Sequence, residues 1–267
     1  MKKIILFSVI IFGLIACKEQ NKSQKDTQQI SPAVKSKTEE EQISKDSIEV
    51  TPISHATFTM KLNNKLIVID PVGGKKAFNS LEKPDIILIT DIHGDHLNVE
   101  TVKNIVTNKT SLLVPKAVSE KVPESLSKNV IVLNNGEEKL LSGITIKAIP
   151  MYNLREEAKD FHVKGRGNGY ILEANNKRVY ISGDTEDIPE MRNLEDIDLA
   201  FVCMNLPYTM PVDAAADAVL DFKPKKVYPY HFRGKNGFSD VEKFKNIINT
   251  NNPKIKVEIL DWYPAKK

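Results

Sequence analysis

The chain predicts an α/β domain, in some schemes α+β, and three observations carry that reading. Short apolar runs such as Ile86-Ile87-Leu88-Ile89-Thr90 and Leu199-Ala200-Phe201-Val202-Cys203 have the length and content of buried strands. Other stretches place apolar residues at helical spacing, as in Ala214, Ala215, Ala218, Val219 and Phe222. The two kinds alternate along the chain without an internal repeat of fixed period, the order expected of layered α/β proteins.

The elements follow in order. Thr57 to Met60 and Leu66 to Asp70 read as two strands joined by a turn at Asn63-Asn64. After the strand at Ile86, Asn98 is placed to cap a helix whose apolar face is Val99, Val102, Ile105 and Val106. Val130 to Leu133 and Ile144 to Pro150 are further strands. Tyr170 to Glu173 and Arg178 to Ser182 form a hairpin around Asn175-Asn176, a pair that tolerates positive φ. The Ala-rich helix is followed by a strand at Lys226 to Tyr230. Ser239-Asp240-Val241-Glu242 has capping-box form ahead of Phe244, Ile247 and Ile248, and Lys256 to Leu260 reads as a last strand.

The N-terminus differs in kind. Lys2 and Lys3 precede an apolar run from Ile4 to Ile15, which is short for a bilayer span but suits a secretory signal. Leu14-Ile15-Ala16-Cys17 is similar to a bacterial lipobox, so residues 1–16 are expected to be removed and Cys17 lipidated. An ordinary signal peptide and a short anchor helix are the other readings. Residues 17–47 are rich in Lys, Glu, Gln, Ser and Asp, too polar to offset their chain entropy by burial, and are expected to form a disordered tether. Residues 48–267 have the size of one large domain. With Cys17 lipidated, Cys203 has no disulfide partner, and its apolar run marks it as a buried strand residue. The net charge of +3 over 267 residues points to no nucleic-acid partner. The expected partners are a small-molecule substrate and, through the anchor, the membrane of a bacterial cell envelope.

The chemistry concentrates in Asp91-Ile92-His93-Gly94-Asp95-His96, which holds two of the chain's five histidines. It follows the Ile86 strand, where active sites of layered α/β proteins tend to lie. Imidazole with carboxylate suits zinc, iron or manganese better than calcium or magnesium. The theme recurs: Tyr180-Ile181-Ser182 runs into Gly183-Asp184-Thr185, Tyr228-Pro229-Tyr230 into His231, and Ile144 to Pro150 into Asn153, with His162 further on. His55 stands at the start of the first strand.

In that order these pieces resemble the metallo-β-lactamase-fold superfamily, with Ile69-Asp70-Pro71 and Pro207-Tyr208-Thr209-Met210 most like the branch of ascorbate-6-phosphate lactonase relatives. The resemblance covers residues 48–267 and implies a four-layer αβ/βα sandwich with metals at one edge between two sheets. It implies one or two divalent ions, with zinc the expected ion and manganese or iron acceptable. His93 would belong to the first metal site. Asp95, His96 and His231 would belong to the second, and Asp184 would bridge both. Where the family usually has a third first-site histidine the chain has Asn153, and His162 is favoured over it as the better ligand for a borderline metal. Asp91 stands in place of the family's first histidine, either binding metal directly or orienting a ligand. His55 is expected to line the pocket or hold Asp91. The run Lys164-Gly165-Arg166-Gly167-Asn168-Gly169 is not a nucleotide cradle, since a strand follows it; it is a mobile connection or a pocket rim with Arg166 facing an anionic substrate. Tyr208 is a further pocket candidate.

The implied activity is metal-dependent hydrolysis of an ester, lactone or phosphodiester, with metal-bound hydroxide as attacking group and Asp95 as proton acceptor. The alternatives are a catalytically silent metal-binding lipoprotein and an iron-dependent oxidoreductase. The anchor is testable alone: Cys17→Ser is expected to abolish labelling by a radioactive fatty acid and to release the protein from membranes. Equal labelling of the variant would refute the lipidation.

Overall fold

Residues 47–264 are described by the structure, a computed structural model, so the signal segment, Cys17 and the tether up to residue 46 lie outside the described residues. A six-stranded sheet runs in chain order through β1 (Glu49–Ser54), β2 (Thr57–Leu62), β3 (Lys65–Ile69), β4 (Ile86–Leu88), β5 (Ser111–Val114) and β6 (Val130–Val132). A seven-stranded sheet is built from β7 (Glu138–Leu141), β8 (Ile144–Met151), β9 (Gly167–Ala174), β10 (Lys177–Ile181), β11 (Leu199–Cys203), β12 (Lys226–Tyr230) and β15 (Lys256–Val257). Its order is β15-β12-β11-β10-β9-β8-β7. A short ribbon, β13 (Arg233–Gly234) with β14 (Gly237–Phe238), follows β12.

The layers follow from the two-residue period of strands. In the first sheet Val68, Ile87, Leu112 and Val114 pack against Val102, Ile105 and Val118 of the helices that cover one face. Their neighbours Ile67, Ile69, Ile86, Leu88 and Leu113 join the core shared with the second sheet. That core centres on aromatic contacts: Phe58 stacks on Phe201 with ring centroids 4.3 Å apart, and Trp262 meets Phe58 edge-on at 5.6 Å. Ala215, Val219, Phe222, Phe244 and Ile248 of the helices Val212–Phe222 and Val241–Asn251 close the other side. The result is the helix, sheet, sheet, helix sandwich that the resemblance implies.

Local chemistry sets the connections. Asn63 and Asn64 have φ of 51° and 57°, and Asn175 and Asn176 have 49° and 57°, so both hairpins turn on asparagine pairs. Asn98 caps its helix by accepting from the Thr101 N–H. Three expectations need correction. The last long helix is capped by Asp240, which accepts from the Lys243 N–H, while the Ser239 hydroxyl is spent on the Met204 carbonyl. The final strand ends at Val257 rather than Leu260, because the chain leaves the sheet to bury Trp262. The glycine run is no mobile connection, since Gly167, Asn168 and Gly169 are buried residues of β9. Strands β1, β5 and β7 lack a readable pattern and appear only in the structure. Among the described residues no helix is long and apolar enough to cross a membrane.

The sheets close on one another at the edge where β4 ends and β9 begins. The Asn168 N–H donates to the Thr90 carbonyl at 2.9 Å, and the Tyr170 hydroxyl donates to the Ile89 carbonyl at 2.8 Å. A Cβ on Gly167 would stand 2.8 Å from the Thr90 carbonyl oxygen and 2.6 Å from Met151 Cε. Gly167→Ala is therefore expected to destabilise the fold by about 1–3 kcal/mol through overpacking, read as a lower urea midpoint. An unchanged midpoint would show that the edge has slack.

Candidate metal centre

Five strands that end at this edge each deliver polar side chains. Asp70 follows β3, the segment Asp91 to His96 follows β4, Asp184 follows β10, Asn205 follows β11 and His231 follows β12. Asp70 and His231 hold φ of 44° and 48°, and His55, in the β1–β2 turn, holds 58°. Positive φ is uncommon outside glycine, and three cases around one cluster mark a place where side-chain direction overrides backbone comfort.

The most buried part of the cluster is Asp184 with His96 and His231. His96 Nε2 lies 3.3 Å from Asp184 Oδ2, and His231 Nε2 lies 3.4 Å from Asp184 Oδ1. The two Nε2 atoms face each other at 3.1 Å. Asp184 Oδ1 is buried and accepts no hydrogen bond. Two imidazole nitrogens and an unsatisfied carboxylate oxygen turned to one point suit a cation shared among them, and the nitrogen and oxygen donor set suits zinc, manganese or iron. His96 is oriented for that task by Asp70, whose Oδ2 takes its Nδ1–H at 2.8 Å. Asp95 approaches from the open side, with Oδ2 3.5 Å from His231 Nε2 and its side chain 44% exposed.

Electrostatics agree. Burial opposes a charge on Asp184, yet His231 and His96 hold its carboxyl well below the ordinary range. Burial likewise opposes ionisation of Asp95, and hydrogen bonds from His231 and His55 outweigh it. Burial disfavours a charged His96, but Asp184 and Asp70 hold its pKa well above the usual imidazole value. The cluster therefore attracts positive charge.

His55 does not hold Asp91. It forms another group with Asp95 and His231, its Nε2 3.4 Å from Asp95 Oδ2 and its Nδ1 2.8 Å from the Tyr263 hydroxyl. Burial lowers its pKa, which favours the neutral ring.

The outer half brings Asp91, His93 and His162 together. His162 Nε2 is 3.2 Å from Asp184 Oδ2, while its Nδ1 meets the Tyr208 carbonyl at 3.1 Å. Asn153 serves as scaffold, its side-chain amide donating to the carbonyls of Ala158 and Tyr208. Asp91 has no exposure and accepts from His93 Nδ1 at 2.7 Å. Arg166 does not face outward: its Nε and a terminal nitrogen fork onto the two Asp91 oxygens at 3.2 and 3.1 Å. A cavity of about 300 Å³ opens over the cluster, lined by His93, Asp95, His162 and Asp184 with Phe161, Asn205 and Tyr208.

Sequence reasoning missed Asp70 as the support of His96, and also Tyr263, Asn205 and Phe161. Asp70 carried a signal, a carboxylate directly after a buried strand. The other three carried none.

Residues 49–231 match the family model for the β-lactamase superfamily domain. The chain belongs to that superfamily, among its metal-dependent hydrolases. It is 30% identical to a UPF0173 metal-dependent hydrolase of Thermococcus onnurineus, over 82% of this chain and 98% of that protein. It is 36% identical to a metal-dependent hydrolase of Parabacteroides distasonis known by crystal structure, with a TM-score of 0.72 over 81% of this chain and 94% of that one. A metallo hydrolase of Ignicoccus hospitalis, 21% identical with a TM-score of 0.66 over 80% of this chain and 94% of that one, shares the fold.

The Asp70 support is testable without a substrate. Asp70→Asn is expected to weaken metal binding by about 10–100-fold, measured by chelator competition. Unaltered affinity would mean that His96 needs no outside support.

Proposed function

We propose that the protein is an exported, lipid-anchored hydrolase that cleaves an ester, lactone or phosphodiester with an activated water. The observation that carries this reading is the convergence of His96, His231 and Asp184 beneath an open cavity, with Asp95 at its side. His96, His231 and Asp184 would hold a divalent cation, zinc first and manganese or iron as alternatives, whose chemistry there would be to acidify water and polarise a carbonyl or phosphoryl oxygen. Asp95 is half-exposed and lines the cavity, where it can orient the attacking water and take its proton. His96 and His231 stay fixed through the reaction, His96 by Asp70 and both by burial.

Among the described residues no cysteine competes for this role. Cys203 is buried in β11, and burial pushes its thiol up to about 12. Phe161 and Tyr208 meet edge-on at 5.1 Å and give the cavity an apolar wall, suited to an uncharged portion of a substrate. Asn205 presents an amide on the same cavity, and its Oδ1 is taken by the Thr209 hydroxyl at 2.6 Å. That leaves Nδ2 to donate to a substrate oxygen.

Export and anchoring rest on the lipobox-like segment, and the family match begins at residue 49, just beyond the proposed tether. The test is a panel of lactones, esters and phosphodiesters offered to metal-loaded protein. Turnover of one class is expected, and Asp95→Asn should reduce it by about 10²–10⁴-fold. Cys203→Ala should leave it unchanged. Hydrolysis that survives Asp95→Asn would remove Asp95 from the chemistry.

A further inference from the structure

We propose that Arg166 takes the place of one cation, so that the chain holds a single divalent ion at His96, Asp184 and His231. This rests on the reading of that buried cluster as a metal site. The outer group, Asp91 with His93 and His162, has the residue types for a second ion, but its one carboxylate is already committed. Asp91 Oδ1 receives Arg166 Nε at 3.2 Å, and Oδ2 receives a terminal Arg166 nitrogen at 3.1 Å. The same Oδ2 receives His93 Nδ1 at 2.7 Å. An ionised carboxylate only accepts, so in this pairing His93 carries its proton on Nδ1 and keeps a lone pair on Nε2 alone. His162 turns to the other half, its Nε2 3.2 Å from Asp184 Oδ2 against 4.0 Å from Asp91 Oδ2.

The guanidinium is hard to displace. It keeps its charge at any working pH, so it cannot vacate the carboxylate by losing a proton. It also donates to the Phe161 carbonyl, which ties it to the cavity wall. A dication bound to Asp91 would sit against this fixed positive charge. The aspartate that departs from the family motif and the arginine in the glycine run are thus one unit. The carboxylate introduces a negative charge where the family has a neutral imidazole, and the guanidinium cancels it.

The test counts ions. Full-length protein is stripped of metal, equilibrated with saturating free zinc and read by elemental analysis and native mass spectrometry. One zinc per wild-type chain is expected, and two per chain in Arg166→Met, where Asp91 is released. Two per wild-type chain would overturn the inference and leave the hydrolase reading standing. No bound zinc would overturn both. One zinc in a folded Arg166→Met protein would overturn the role of the guanidinium. If circular dichroism shows that Arg166→Met does not fold, Asp91→Asn decides. It should keep the wild-type count of one, and loss of an ion would make Asp91 a ligand.

Discussion

The Asp70 carboxylate has no exposed surface, and such a group is tolerable only when donors surround it. Three do: the Thr90 N–H and hydroxyl at 2.7 Å each, and His96 Nδ1–H at 2.8 Å. Two of them hold the last residue before Asp91-Ile92-His93-Gly94-Asp95-His96, and the third aims the last residue of that segment. One carboxylate thus fixes both ends of the loop on which the centre depends. These donors offset the cost of burying its charge only in part, since burial still raises its pKa, and they tie the position of the ligands to the integrity of β3 rather than to the loop itself.

The second sheet must meet this loop closely, because Asp184, His162 and His231 all come from it or its connections. Backbone-to-backbone contact between Asn168 and Thr90 sets the distance, and β9 keeps Gly167 beside that contact for the same reason. Side chains of ordinary length then reach one point from five separate elements. The positive φ values of His55, Asp70 and His231 are the local accommodation to that convergence.

The periodic apolar runs made the α/β class legible and the paired asparagines marked both hairpins, since these signals are local in sequence; the sandwich itself came from the family resemblance. The hexapeptide, Asp184 and His231 were legible for a related reason: each directly follows a buried strand. What stayed hidden depends on pairs far apart along the chain. Asp91 and Arg166 are 75 residues apart, and nothing local in either segment names the other. The same holds for Asp70 with His96 and for His55 with Tyr263. The cap of the last long helix was misread because Ser239 and Asp240 are both good caps, and only the Met204 carbonyl decides between them.

The Tyr263 hydroxyl joins parts of the molecule that the family match separates. It meets His55 Nδ1 at 2.8 Å and receives the Arg233 N–H at 3.0 Å, while the His55 N–H donates to the Trp262 carbonyl at 3.1 Å. The match stops at His231, short of Arg233, Trp262 and Tyr263. A recombinant fragment trimmed to the matched boundary would retain every candidate ligand by count, yet lose the strut behind His55 and the indole that packs edge-on against Phe58 and Phe201. The minimal unit for crystallisation or enzymology is therefore longer than the recognisable motif, and the C-terminal tail up to Tyr263 belongs to the centre as much as the histidines do.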